Sequence, residues 1–174
     1  MRRSGRPVDS PGVRSSRQPL DSAGARRAAA DLLSRREWTR AELTARLRRR
    51  GAPAGIAAEV VADLASRGYL DDARFACRWV EARAARGYGP TRLTAELRAR
   101  GVAPALIEAA LAALDPGAEV ERARAAALRR LPARRGARPD RAASRLRDHL
   151  LRRGFDAGVV RRVIRELLVI EGEA

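Results

Sequence analysis

Three glycines constrain this chain more than any other feature. Gly51, Gly101 and Gly154 stand 50 and 53 residues apart, and each follows an arginine, Arg50, Arg100 and Arg153. Four positions upstream of each lies a leucine (Leu47, Leu97, Leu150), and eight upstream another (Leu43, Leu93, Leu146). Five positions downstream stand Ile56, Leu106 and Val159; ten downstream, Val61, Leu111 and Ile164. Matching columns at a fixed period mark a repeat. The four-residue step places the leucines on one face of a helix that the glycine ends, with a second helix after it. Each copy reads as three helices around a small apolar centre. Such units stack end to end, so the expected fold is all-α: three tandem three-helix repeats in an elongated, curved body.

Composition agrees with thin helical layers. Hydrophobic residues make up 45% of the 174 residues but aromatics only 3%. Ala, Leu, Val and Arg dominate, which favours helix over strand. Residues 1–21, rich in Arg, Ser, Pro and Gly without period, read as a disordered basic tail. The repeats are expected at 22–70, 71–115 and 116–174. Asp21 or Ser22 caps a first helix to about Arg35. Thr39 and Glu42 form a capping box for the second, with Trp38 and Leu43 as its staple. Pro53 is expected at the first position of the third helix. Gly89 takes the cap position that Thr39 holds one repeat earlier, with Pro90 next. Asp115, Pro116 and Gly117 end the sixth helix. A seventh spans about Ala118 to Leu131, and Pro132–Pro139 is an Arg-rich loop. The eighth helix begins at Asp140, and Asp156 caps a ninth to about Ile170.

The joint between the first two repeats is spelled by residues 67–76. Gly68 suits the left-handed position that closes a helix, and Tyr69 is expected to fold back onto Leu64. Asp71 is the N-cap of the next helix, and Asp72 sits at the positive end of its dipole. Leu70 and Phe75 are spaced as a hydrophobic staple.

All 37 basic residues are arginine, and the net charge is +16. A chain so charged attracts polyanions, and nucleic acid or a complex containing it is the expected partner. The charge is uneven. Residues 25–70 hold 10 Arg against 5 acids, residues 71–115 hold 7 against 6, and residues 116–174 hold 15 against 8. No apolar run approaches membrane-spanning length and no apolar leader opens the chain, so a cytoplasmic protein without membrane contact is expected.

Catalytic chemistry finds little to work with. Cys77 is the single cysteine and His149 the single histidine. Asp71 and Asp72 are the one adjacent carboxylate pair, and capping accounts for both. Cys77 reads as a buried inert thiol and His149 as a core-edge residue. No metal site, cofactor or catalytic group is expected. Trp38, Trp79, Tyr69 and Tyr88 have the chemistry to stack on bases, yet each also fits a staple, cap or helix face. The arginine clusters exceed what solubility needs. Arg48, Arg49, Arg50, Arg129, Arg130, Arg134, Arg135, Arg152, Arg153, Arg161 and Arg162 are the expected partner or nucleic-acid contacts. Arg152, Arg153, Arg161, Arg162 and Arg165 are expected to form one exposed basic surface, while Arg92 and Arg98 of the middle repeat matter less.

Several of these stretches together resemble the RecX family. They are the Trp38-Thr39 start with Glu42 and Leu43, the Leu47–Gly51 helix end, the Gly68–Ala76 joint, and the Arg86-Gly87-Tyr88-Gly89 break before Leu93 and Leu97. The family pattern thus falls on Gly68, Tyr69, Leu70, Asp71, Asp72, Phe75, Arg86, Gly87 and Gly89, residues of mainly structural role. Arg86 stands where the family usually has Lys. The resemblance implies a non-enzymatic regulator that binds the RecA–DNA filament; separately, a monomer is expected. It implies modulation, mainly inhibition, of recombinase, ATPase and coprotease activity in DNA repair and the SOS response. Single- or double-stranded DNA would be met through basic surfaces. A second reading is a sequence-specific helix-turn-helix regulator that uses one three-helix unit on duplex DNA.

Overall fold

The computed structural model describes residues 19–115, 117–130 and 139–172. Most of the segment read as a tail, and the loop holding Arg134 and Arg135, lie outside the described residues. Among those described there are nine α-helices and no strand. They are α1 (Ser22–Leu33), α2 (Arg40–Arg49), α3 (Ala54–Ser66), α4 (Asp72–Ala85), α5 (Pro90–Ala99), α6 (Pro104–Ala112), α7 (Ala118–Leu128), α8 (Pro139–Arg152) and α9 (Ala157–Gly172).

Each set of three helices closes on its own core. Leu43 and Leu47 centre the first, Leu93 and Leu97 the second, Leu146 and Leu150 the third. The downstream columns read from sequence lie mostly at the core edge: Ile56, Leu106, Val159, Leu111 and Ile164 are half-buried. The innermost positions on the third helices are one residue off, at Ala57, Ile107 and Val160 and at Val60, Ala110 and Val163. Alanine masks these columns in a hydrophobic pattern. It also lets the helices approach closely, which gives each unit its thin core.

Helix ends follow local chemistry. The Thr39–Glu42 capping box is complete, and the Asp71 side chain accepts from the Arg74 N–H. Five helices stop at a glycine of positive φ: Gly51, Gly68, Gly87, Gly101 and Gly154. In each the next N–H reaches back to the helix, as Tyr69 N–H does to Leu64 O at 2.9 Å, the backbone bond of a Schellman ending. Tyr69, expected to fold back onto Leu64, stays 65% exposed and lines a groove at the joint. Pro53 caps α3 from outside instead of starting it, and Pro139 lies inside α8 instead of the preceding loop.

The units join through one recurring corner. The N-terminus of a middle helix meets the Arg-Gly ending of the middle helix in the next unit. Between the first two units, the Thr39 hydroxyl donates to Arg100 O at 2.6 Å, and Arg100 pairs with Glu42 at 2.6 Å. Asp72 does more than favour its own helix dipole: its Oδ1 accepts from the Arg40 N–H at 3.0 Å, capping α2 across the joint. Arg78 and Glu37 pair at 2.5 Å beside it. Between the second and third units the corner is made of backbone. Gly89 N–H donates to Arg153 O at 2.8 Å, and Thr91 N–H to Gly154 O at 3.1 Å.

The stack has distinct ends. α2 and α5 begin eleven residues before their glycines, but α8 begins fifteen before Gly154. Ala142, the counterpart of Thr39 and Gly89, therefore lies within a helix and offers no free N-terminal corner. At the other end, Leu20 N–H donates to Gly51 O at 3.0 Å. It fills from within the chain the place that a preceding unit would take, as terminal repeats of a stack require.

Candidate nucleic-acid interface

The arginines divide into those spent on the fold and those left outside it. In the middle unit most are spent. Arg83 and Arg92 both bind Glu96, which also accepts from the Trp79 indole at 3.1 Å. Burial alone would push the Glu96 carboxyl up, but the hydrogen bonds from Arg83 and Arg92 outweigh it and hold the group below the usual carboxylate range. Arg100 lies 4.0 Å over the Trp79 ring and Arg83 3.9 Å over Tyr88. Arg36 covers Trp38 at 3.4 Å, and the Trp38 indole donates to Leu32 O. These three aromatics are thus held by guanidinium stacking and hydrogen bonds, which is the packing role weighed for them.

The joint leaves one aromatic open. Tyr69 lines a shallow groove of about 170 Å³ with Leu33, Trp38, Arg74 and Phe75 among its neighbours. Glu37 and Asp71 also line it, so its charge is mixed. Leu70 is buried, and Phe75 stacks on Trp79 with centroids 5.9 Å apart.

The sequence-predicted contacts scatter over three places. Arg48 and Arg49 are exposed near the end of α2, while Arg50 turns back to Asp31 at 3.4 Å. Arg129 and Arg130 are exposed at the end of α7, with Arg129 against Gly87. Arg86 is exposed, and its carbonyl accepts from Arg153 at 2.7 Å. Arg153 departs from the expected exposed surface. It is half-buried, binding the Arg86 and Gly87 carbonyls and donating to His149 Nε2 at 3.1 Å. It fastens the third unit to the second, and only the tertiary contact shows this. Burial, then the nearby Arg153, Arg130 and Arg152, push the His149 imidazole below its ordinary range, so it accepts that bond as a neutral ring.

Arg162 is also engaged, pairing with Glu166, which Arg124 binds from α7. Arg161 and Arg165 make no ion pair among the described residues. They face Arg147 across a groove between α8 and α9, of about 430 Å³, also lined by Ala143, Ser144 and Ile164. Arg147 was not singled out by sequence; its signal was its position seven residues before Gly154, on the same side as the groove. Arg147 donates to Ser144 Oγ at 3.3 Å and touches the exposed Asp148 at 3.4 Å.

Among the described residues no group of three His, Cys, Asp or Glu is placed to hold a metal, and no helix is long and apolar enough to cross a membrane. Cys77, expected to be buried, is only half-buried, at the edge of the second core.

Comparison with known proteins is consistent across methods of likeness. Residues 25–64 match the first three-helix domain of RecX, and residues 71–111 the second. The chain is 42% identical to regulatory protein RecX of Thermobifida fusca over 149 residues, 85% of this chain and 80% of that one. It is 39% identical to regulatory protein RecX of Streptomyces coelicolor over 150 residues, 86% and 80% of the two chains. A solved RecX structure superposes with a TM-score of 0.75 at 22% identity, covering 82% of this chain and 72% of that one. RecX from Lactobacillus salivarius gives 0.72 at 20% identity, covering 84% and 96%. The three-unit stack, its glycine-ended helices and this extent of identity together place the chain in the RecX family of regulatory proteins.

Proposed function

We propose that the chain is a non-enzymatic regulator that binds the RecA–DNA filament and modulates, mainly inhibits, its recombinase, ATPase and coprotease activities. The observation that carries the reading is 42% identity to a regulatory protein RecX over 85% of the chain. The geometry supports it: exposed arginines of the first and third units, fastened at successive corners to a nearly neutral middle unit, give a cationic body suited to lie along a nucleoprotein helix. The two smaller basic sites and the α8–α9 groove are the places where phosphates or acidic side chains of a filament would be met.

The helix-turn-helix reading is less well supported. A base-reading helix needs exposed Arg, Asn or Gln near its N-terminus. The exposed positions of α3 are Ala54, Gly55, Ala58, Glu59, Ala62 and Ser66, and those of α6 include Ala105, Glu108 and Ala109; α9 does expose Arg161, Arg162 and Arg165, but with no Asn or Gln beside them. Alanine and glutamate offer phosphates and bases little.

Co-sedimentation with RecA, with and without single-stranded DNA and nucleotide, tests the proposal. Association that needs the assembled filament, with slowed DNA-dependent ATP hydrolysis, is the expected result. Tight, sequence-selective duplex binding without any effect on RecA would sink it.

A further inference from the structure

The three units are copies of one architecture, so each has a groove between its second and third helices. Their linings can be compared position by position. Seven residues before the repeated glycine stand Thr44, Thr94 and Arg147; seven after it, Ala58, Glu108 and Arg161; eleven after it, Ala62, Ala112 and Arg165. At all three places the first two units carry a small or acidic residue and the third carries arginine. The floor column, Val61, Leu111 and Ile164, stays aliphatic in all three. Charge has thus been added to one copy of a repeated groove without changing its apolar base.

The neighbourhood differs too. In the first two units the second helix begins against the next unit: Ala41 lies where a Gly101 Cβ would fall, at 2.4 Å, and Thr91 bonds Gly154 O. No unit follows the third among the described residues, and α8 runs on past that corner. The matching positions Ala58, Ala62, Glu108 and Ala112 are exposed like Arg161 and Arg165, so charge and not cover sets the α8–α9 groove apart, and its lining includes no acid. Arg161 and Arg165 lie one helical turn apart on α9 and face Arg147 on α8. Arg162 and Arg124 are held away on the Glu166 side.

We infer that the α8–α9 groove is a binding site for the phosphodiester backbone of single-stranded DNA, with Arg147, Arg161 and Arg165 on the phosphates. Arg161 and Arg165, without an ion pair among the described residues, and Arg147, paired only with the exposed Asp148 at 3.4 Å, surround a cleft with no acidic lining residue and complement a polyanion. The groove offers about 430 Å³, space for a short run of one strand's backbone and too little for the paired strands of a duplex. Ile164 and Ala143 give sugars and base edges an apolar floor. The site contains no aromatic platform, so it grips backbone and discriminates little among bases. This places a strand contact on the third unit alone. It deepens the proposed function but does not depend on it, since it concerns DNA without RecA.

The test is fluorescence anisotropy of a labelled oligo-dT with the full chain, from about 50 to 200 mM salt, without RecA. Each phosphate contact on a single strand contributes about 0.7 to the slope of log affinity against log salt. The variant R147Q/R161Q/R165Q should lower affinity at least tenfold at low salt and flatten that slope by about 2. A control, R26Q/R27Q/R98Q, removes the same charge from exposed arginines of the first two units and should change affinity less than threefold. Circular dichroism must show both variants equally helical and equally stable. A groove variant that proves less stable is replaced by Arg161→Gln and Arg165→Gln alone, which touch only exposed positions of α9, with an expected slope change of about 1.4. Equal losses from groove and control sets overturn the site, as does no loss from the groove set. A duplex bound as tightly as the single strand overturns the choice of occupant. Filament association is measured separately: its absence beside intact single-strand binding would sink the proposed function and leave this site standing.

Discussion

At the scale of single residues, the glycines separate two reasons for lacking a side chain. Gly68 has φ +76° and open space where a Cβ would go. Its requirement is conformational, so Gly68→Ala should cost about 1–2 kcal/mol, and Gly68→Val more because β-branching fits positive φ poorly. Gly154 has φ +85°, but its Cβ would also fall 2.4 Å from the Arg92 nitrogen. Gly154→Ala should therefore cost more than Gly68→Ala and loosen the joint between the second and third units. Thermal melting compares the costs, and amide exchange at Gly89 and Thr91 reports the joint. Equal melting shifts with unchanged exchange would refute the distinction. Gly89 shows the second reason alone. Its φ is an ordinary −91°, yet a Cβ there would meet Gly154 O at 2.3 Å. Sequence made Gly89 legible as a cap position; its need for glycine comes from a residue 65 positions away and could not be read locally.

At the scale of helices, most boundaries follow from caps that sequence displays, and the α2 start carries the most consequences. Thr39 is fully buried, accepts from the Glu42 N–H and donates to Arg100 O. Thr39→Val keeps the shape but removes both bonds. The lost cap costs about 0.5–2 kcal/mol, and the stranded Arg100 carbonyl about 1–3 more. Thr39→Ser should retain most of the stability, and a Val variant melting with the wild type would refute the dual role. Asp72 provides a second check on the same helix. Asp72→Asn keeps an oxygen for the Arg40 N–H and should leave melting and RecA inhibition largely unchanged, whereas Asp72→Ala should lower the melting temperature. Loss of inhibition by the folded Asn variant would instead mark the carboxylate as functional. The capping box was plain from Thr39 and Glu42; the partners across the joint, 61 and 32 residues away, were not.

At the scale of the molecule, the two joints have different chemistry. The first rests on side-chain ion pairs, Glu42–Arg100 and Glu37–Arg78; the second on backbone bonds and Arg153, steadied by neutral His149. A histidine whose imidazole is held low in the folded chain is more readily protonated when unfolded. Its neutral form thus supports folding fully above the unfolded value near 6.5, and that support is lost as pH falls below it. Protonation also removes the acceptor for Arg153 and adds a cation among Arg130, Arg152 and Arg153. Acidification from about pH 7 to 5 should therefore destabilise the third unit's attachment, seen as faster amide exchange at Gly89. His149→Gln, which keeps an acceptor but does not titrate, should flatten this dependence; an unchanged pH profile in that variant would refute the role.

By itself the sequence determined the repeat, the all-α class, nearly every helix end and the three leucine centres. These rest on interactions between residues one to eight positions apart, such as caps, staples and i, i+4 faces, which a linear reading contains. Tertiary structure decided which arginines are free. Arg153, Arg147, Arg161 and Arg162 look equivalent as letters, but Arg153 closes a joint to carbonyls 66 and 67 residues away and Arg162 is drawn to Glu166. The exposure of Tyr69 was likewise not legible from its place in a helix ending. A guanidinium's availability depends on what the fold brings within about 4 Å of it, and in a stacked protein those neighbours come from the adjoining repeat.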